Sequence, residues 1–238
     1  MEKFEVVPSA AAVASQDSDV PDTLPQVPFR LVVVGSSNSG KSVLVASLLS
    51  DKFPYAKIFG RNVWIFSPTM SLQDPSFSEL KIPDDHVVPF YDEATISRIV
   101  TQQGKIIKQH GKSLAKNLLF VFDDCMTQIS NSPSSLLRSL YFSGRHQKIS
   151  VICLTQLWTA MPRAARMNAS DVVLFEQGRK QRMNIGEEQS IDPQKFSDIM
   201  EAATGERPFS FLYVRLKKPT KERYMLRFTG RLYSTTEP

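Results

Sequence analysis

From Arg30 onward, short apolar runs alternate with longer amphipathic stretches. The runs are RLVVV (30–34), NVWIFS (62–67), HVVPF (86–90), NLLFVF (117–122), ISVICL (149–154) and DVVLF (171–175). Near-continuous apolar character over so few residues is what strands buried on both faces of a parallel sheet require. Between them, 41–50, 92–109, 133–143 and 162–169 carry helical spacing, with Pro133 and Pro162 where a first helical turn accepts proline. A further helix is predicted over 193–204, near whose start Pro193 stands. The tail changes period: FSFLYVRL (209–216) and RYMLRFTGRLY (223–233) flank KKPTKE and predict a β-hairpin. Residues 1–28 hold four prolines and little periodicity, which predicts a flexible N-terminal arm. The pattern as a whole predicts one α/β domain, its core over 29–208, with 209–238 a strand-rich extension of the same domain.

Composition narrows the class. A chain of 238 residues that is 42% hydrophobic and 22% charged is not wholly disordered. No apolar run approaches the ~20 residues of a membrane helix, and MEKFEVVPSAAAVAS lacks the cationic start and sustained apolar stretch of a signal peptide. Cys125 and Cys153 sit within or at the end of apolar runs, as core thiols of a reducing compartment do. His86, His110 and His146 show no metal-ligand spacing with them. The net charge of +5 mildly favours a polyanionic partner.

The strongest chemical signal is Gly35-Ser36-Ser37-Asn38-Ser39-Gly40-Lys41-Ser42, which satisfies G-x-x-x-x-G-K-[ST] between a strand and a helix. Its glycines let successive N–H groups turn inward on phosphate oxygens, and the helix opening at Lys41 adds its N-terminal dipole. Lys41 supplies a mobile charge to the β- and γ-phosphates, and the Ser42 hydroxyl suits Mg²⁺. ATP and Mg²⁺ are therefore the expected ligands.

A second station follows at the end of LLFVF, where Asp123 and Asp124 stand together. Asp123 is expected to hold Mg²⁺, directly or through water, and Asp124 to orient and deprotonate the attacking water. Aspartate is one methylene shorter than the glutamate many such ATPases place there. The next strand runs to Thr155 and Gln156, and the amide of Gln156 is placed to sense the γ-phosphate or the water. Before that strand, Arg145 in the GRHQ segment is either a solvated charge or an arginine finger for a neighbouring subunit, with Arg163 and Arg166 as rivals. Basic residues also cluster at Arg179, Lys180 and Arg182, at Arg215, Lys217 and Lys218, and at Lys221 and Arg223.

The phosphate loop, VFDD, SGRHQKISVICLTQ and MPRAARMNASDVVLF together resemble the viral genome-packaging ATPases of the FtsK–HerA superfamily, in particular the poxvirus-type ATPase of large DNA viruses, virophages and Polinton-like elements. The likeness covers about 30–205. It implies a P-loop NTPase three-layer sandwich of the additional-strand type and an ATP-hydrolysing motor that moves double-stranded DNA, without sequence preference, into a capsid. It further implies a homo-oligomeric ring (hexamer or pentamer), capsid or portal-vertex partners, and work in the virion or viral factory. By the same likeness Gln156 is the sensor and Arg145 the trans finger. Two other classes compete. A kinase or helicase needs an arginine-rich lid or several further motifs, which the chain does not display. A nucleotide-binding scaffold with an inert acidic pair differs in its basal ATP hydrolysis.

Overall fold

The computed structural model describes residues 20–69, 77, 79–131, 136–205 and 207–231. The first part of the expected arm (1–19), the start of the helix expected over 133–143 and the end of the expected hairpin lie outside the described residues.

A nine-stranded sheet of described residues runs in the order β3-β2-β4-β5-β1-β6-β7-β8-β9. Its strands are β1 (Arg30–Val34), β2 (Val63–Phe66), β3 (Val87–Val88), β4 (Leu118–Asp123), β5 (Ile149–Thr155), β6 (Asp171–Phe175), β7 (Phe211–Arg215), β8 (Tyr224–Leu226) and β9 (Gly230–Arg231). The six from β3 to β6 in that order are parallel, and β7, β8 and β9 continue antiparallel. The α/β sandwich expected from the alternation is present. The expected hairpin is present as β7 and β8, and a third short antiparallel strand, β9, extends it. Arg227, at φ 53°, breaks the second apolar run, so it folds back on itself as β8 and β9.

Alternate residues of the central strands face opposite layers, as the pleat dictates. Val32, Phe120, Val151, Cys153 and Val172 pack into one core, and Leu31, Leu119, Val121, Ile152 and Val173 into the other. The first core is covered by α3 (Glu93–His110), α4 (Met126–Asn131), α5 (Leu136–Ser143), α6 (Arg163–Asn168), α7 (Arg179–Glu188) and α8 (Pro193–Thr204). The second is covered by α1 (Lys41–Leu49), α2 (Tyr55–Phe59) and the chain before β1. A short α9 (Thr220–Arg223) joins β7 to β8.

That thinner cover explains a departure from the expected arm. Val20, Leu24, Val27 and Phe29 are buried under the second face, and Tyr55 donates a 2.7 Å hydrogen bond to the Pro25 carbonyl. Two helices do not span this side of the sheet, so the proline-rich segment supplies the missing apolar surface. Arg215, only 4% exposed, pins it by donating to the Asp22 carbonyl at 3.0 Å and to Asp22 Oδ2 at 3.3 Å. Arg215 therefore belongs to the fold and not to a solvated basic cluster.

The polar RKQRMNIGEE stretch forms α7, a helix its hydropathy does not announce. Its second half lies against α8 at Gly186, where a Cβ would stand 3.0 Å from Phe196 Cβ and 3.1 Å from Pro193 Cα. A side chain there would force α8 to shift by a few tenths of an ångström. Cys125 and Cys153 are buried free thiols, and burial pushes Cys153 up to about 12. No helix among the described residues is long and apolar enough to cross a membrane.

Candidate functional site

The parallel strands deliver the expected residues to one edge. β5 lies between β4 and β1, with Asp123 paired to Leu154 and Val34 to Thr155. The loop from Gly35 to Gly40 leaves β1 there, anchored by the Gly35 N–H donating to the Thr155 carbonyl at 3.1 Å. Asp123 and Gln156 leave the neighbouring strand ends. Gln156, exposed beyond β5, emerges between the acidic station and the phosphate loop.

Within the loop, Asn38 (φ 60°) and Gly40 (φ 95°) adopt the left-handed region, which turns the chain into α1. Asparagine tolerates that region and glycine enters it freely. Lys41 Nζ donates to the carbonyls of Gly35 and Ser36, each at 2.8 Å, so the ammonium is held against the loop. Burial lowers the Lys41 pKa, while Asp123 and Asp124 act against that shift. The net direction is downward, because desolvation of the half-buried ammonium outweighs the two carboxylates.

Ser42 Oγ donates to Asp123 Oδ2 at 3.1 Å, and Asp123 is 5% exposed. The next residue turns away: Asp124 takes φ 55° and is exposed. One carboxylate therefore faces the loop and the other faces solvent at the strand edge. A part-buried pair of hard oxygens, hydroxyl and carboxylate, matches the donors Mg²⁺ prefers.

The arginines separate sharply. Arg145 lies in a short 3₁₀ turn (Gly144–Gln147) just before β5, at the opposite edge of the sheet from the phosphate loop. Seven strand residues at about 3.3 Å each put it roughly 20 Å from its own loop. It is exposed there beside Arg30, Lys112, Lys217 and Lys218, which line a cavity of about 560 Å³. Arg166 is locked inside the fold: it pairs with Glu188, donates to the Met161 carbonyl and lies 5.6 Å over the Trp158 ring. Trp158 Nε1 donates to the same carboxylate. Burial raises the Glu188 carboxyl, but the hydrogen bonds from Arg166 and Trp158 outweigh it and hold it below its usual range. Arg166 is thereby removed from the finger candidates. Arg163, exposed at the start of α6, remains free of such bonds among the described residues.

Sequence reasoning missed one wall of the site. A cavity of about 430 Å³ opens against Ser36, Asn38 and Ser39 and continues onto Phe175, Arg207 and Phe209. The signal was present as a phenylalanine in an RPFS turn, but nothing local says that this turn lies beside the phosphate loop.

Comparison with known proteins gives the chain a family and a shared fold. The family model described as "Poxvirus A32 protein" matches residues 20–206. The DNA packaging protein OPG160 of Monkeypox virus is 28% identical over 160 residues, covering 65% of this chain and 50% of that protein. Uncharacterized protein 015R of Frog virus 3 (isolate Goorha) is 28% identical over 151 residues, 62% of this chain and 44% of that one. The chain thus spans about half the length of these curated relatives. Among solved structures, the genome packaging NTPase B204 from Sulfolobus turreted icosahedral virus 2, in complex with ATP-gammaS, shares the fold. Its TM-score is 0.53 at 15% identity, over 79% of this chain and 93% of that one.

Proposed function

Since the chain belongs to the Poxvirus A32 protein family, we propose that it is a genome-packaging ATPase, a motor that hydrolyses ATP to drive double-stranded DNA into a virus capsid. The observation that carries this reading is the Ser42–Asp123 bond beneath a complete phosphate loop.

In the proposed reaction the inward N–H groups of residues 35–42 and the N-terminus of α1 bind the β- and γ-phosphates. Lys41 exchanges its two carbonyl partners for phosphate oxygens and follows the charge into the transition state. Ser42 and Asp123 are the residues that would hold Mg²⁺, which supplies charge neutralisation on the phosphates. Asp124, free to reach solvent at the strand edge, orients and deprotonates the attacking water. Gln156, between the two stations, bonds the γ-phosphate or that water. The site is completed in trans by an arginine, for which we take Arg145, because it is exposed and cannot reach its own loop. That arrangement requires a homo-oligomeric ring.

A motor indifferent to sequence touches phosphates and not base edges. The purified protein is therefore expected to hydrolyse ATP faster when double-stranded DNA of random sequence is added, with stimulation that declines as salt rises. Particle mass measured in ATP is expected to show a closed ring. Turnover that ignores DNA rejects translocation, and no turnover in either condition leaves a nucleotide-binding scaffold.

A further inference from the structure

The direction in which a nucleotide lies on this edge follows from the strand order. β1 carries the phosphate loop, with β5 and then β4 on one side and β6 and then β7 on the other. Asp123 and Gln156 stand on the β5–β4 side, so the γ-phosphate points that way. The nucleoside must leave over β6 and β7. Because β7 is antiparallel, the turn that begins it, and not the one that ends it, lies at this edge.

That turn presents Phe209. Its side chain is 69% exposed although it is large and apolar, and its backbone stands at φ 59°, a region that bulky residues avoid. The ring lies on the loop itself: a Cβ on Gly40 would come 3.3 Å from Phe209 Cδ1. It shares the cavity of about 430 Å³ with Ser36, Asn38 and Ser39, and Glu176 and Arg207 form the polar rim. A strained backbone that holds an aromatic ring in solvent, beside a phosphate loop and on its nucleoside side, has a ready use. We propose that Phe209 is the platform on which the base of the bound nucleotide stacks. The proposal rests on the nucleotide-site reading above and extends it to the base. A ring face does not discriminate among bases, since every base offers a π-face.

Titration calorimetry on the full chain with ATP, GTP and inorganic tripolyphosphate, each with Mg²⁺, tests it. Phe209→Ala is expected to raise the Kd for ATP and for GTP at least tenfold, about 1.4 kcal/mol, and to leave tripolyphosphate within twofold. Phe209→Trp is expected to keep ATP affinity within about threefold. Phe209→Gly guards against misfolding: it relieves the positive φ, so its melting temperature should not fall, yet it should lose ATP as Phe209→Ala does. Equal losses for ATP and tripolyphosphate, or unchanged ATP binding in both truncations, overturn the stacking role and leave the phosphate site standing. A wild-type chain that binds neither ligand rejects the nucleotide site and the platform together.

Discussion

Ser42 Oγ donates to Asp123 Oδ2 across 3.1 Å, joining the first turn of α1 to the end of β4 over 81 residues of chain. Asp124, one position on, turns outward into solvent. The two adjacent aspartates thus have different surroundings, which makes their roles separable.

Asp123→Asn is expected to weaken Mg²⁺-dependent binding of an ATP analogue, because the amide is a poorer ligand for a hard cation. Asp124→Asn should bind the analogue normally and lose hydrolysis by roughly 10²-fold or more. Equilibrium binding and steady-state turnover, measured on both variants, check the division. Equal losses of affinity would erase it.

The Lys41→Ala and Arg145→Ala variants should each hydrolyse ATP at less than a tenth of the wild-type rate, the arginine variant losing roughly 10³-fold with its ATP affinity intact. Mixed together they should regain activity, because some interfaces then pair an intact loop with an intact arginine. Complementation by Arg163→Ala in place of Arg145→Ala would move the finger to α6.

Arg166→Ala should act on folding instead. Removing it leaves Glu188 and the Met161 carbonyl without a cation in a largely buried setting, which costs about 2–4 kcal/mol. Urea unfolding should show that loss, while Arg163→Ala stays within about 0.5 kcal/mol of wild type. Comparable midpoints for the two would contradict the locked node.

The Asp22 clasp carries a pH signature. The Lys218 hydrogen bond, opposed by partial burial, holds the Asp22 carboxyl below its usual value. A lowered folded pKa means stability present above the ordinary aspartate value and lost as pH falls through the folded one. Asp22 is 58% exposed, so solvent screening limits the effect to about 0.5–1 kcal/mol. Asp22→Asn should be less stable than wild type by that amount at pH 7, and the gap should close as pH falls below the ordinary aspartate range. No gap at pH 7 would assign the clasp to the Asp22 carbonyl, which asparagine keeps.

Much of this protein is written locally. Continuous apolar runs mark the buried strands β1, β2, β4, β5 and β6, because a strand covered on both faces has no polar side to show. The phosphate loop and the aspartate pair are legible for the same reason: their chemistry needs fixed residues at fixed short spacing. Partners distant along the chain are not legible. Arg145 and Arg166 look alike in sequence, yet one is exposed among cations and the other is clasped by Glu188 and Trp158. The proline-rich stretch before Phe29 has little period, yet the sheet face left open by α1 and α2 buries its Val20, Leu24 and Val27. The direction of β7 decides the most: an antiparallel strand brings its leading turn, with Phe209, to the edge where parallel strands end. Periodicity reports that a segment is buried or exposed. What it lies against depends on strand order and direction, which only the packing of the whole sheet determines.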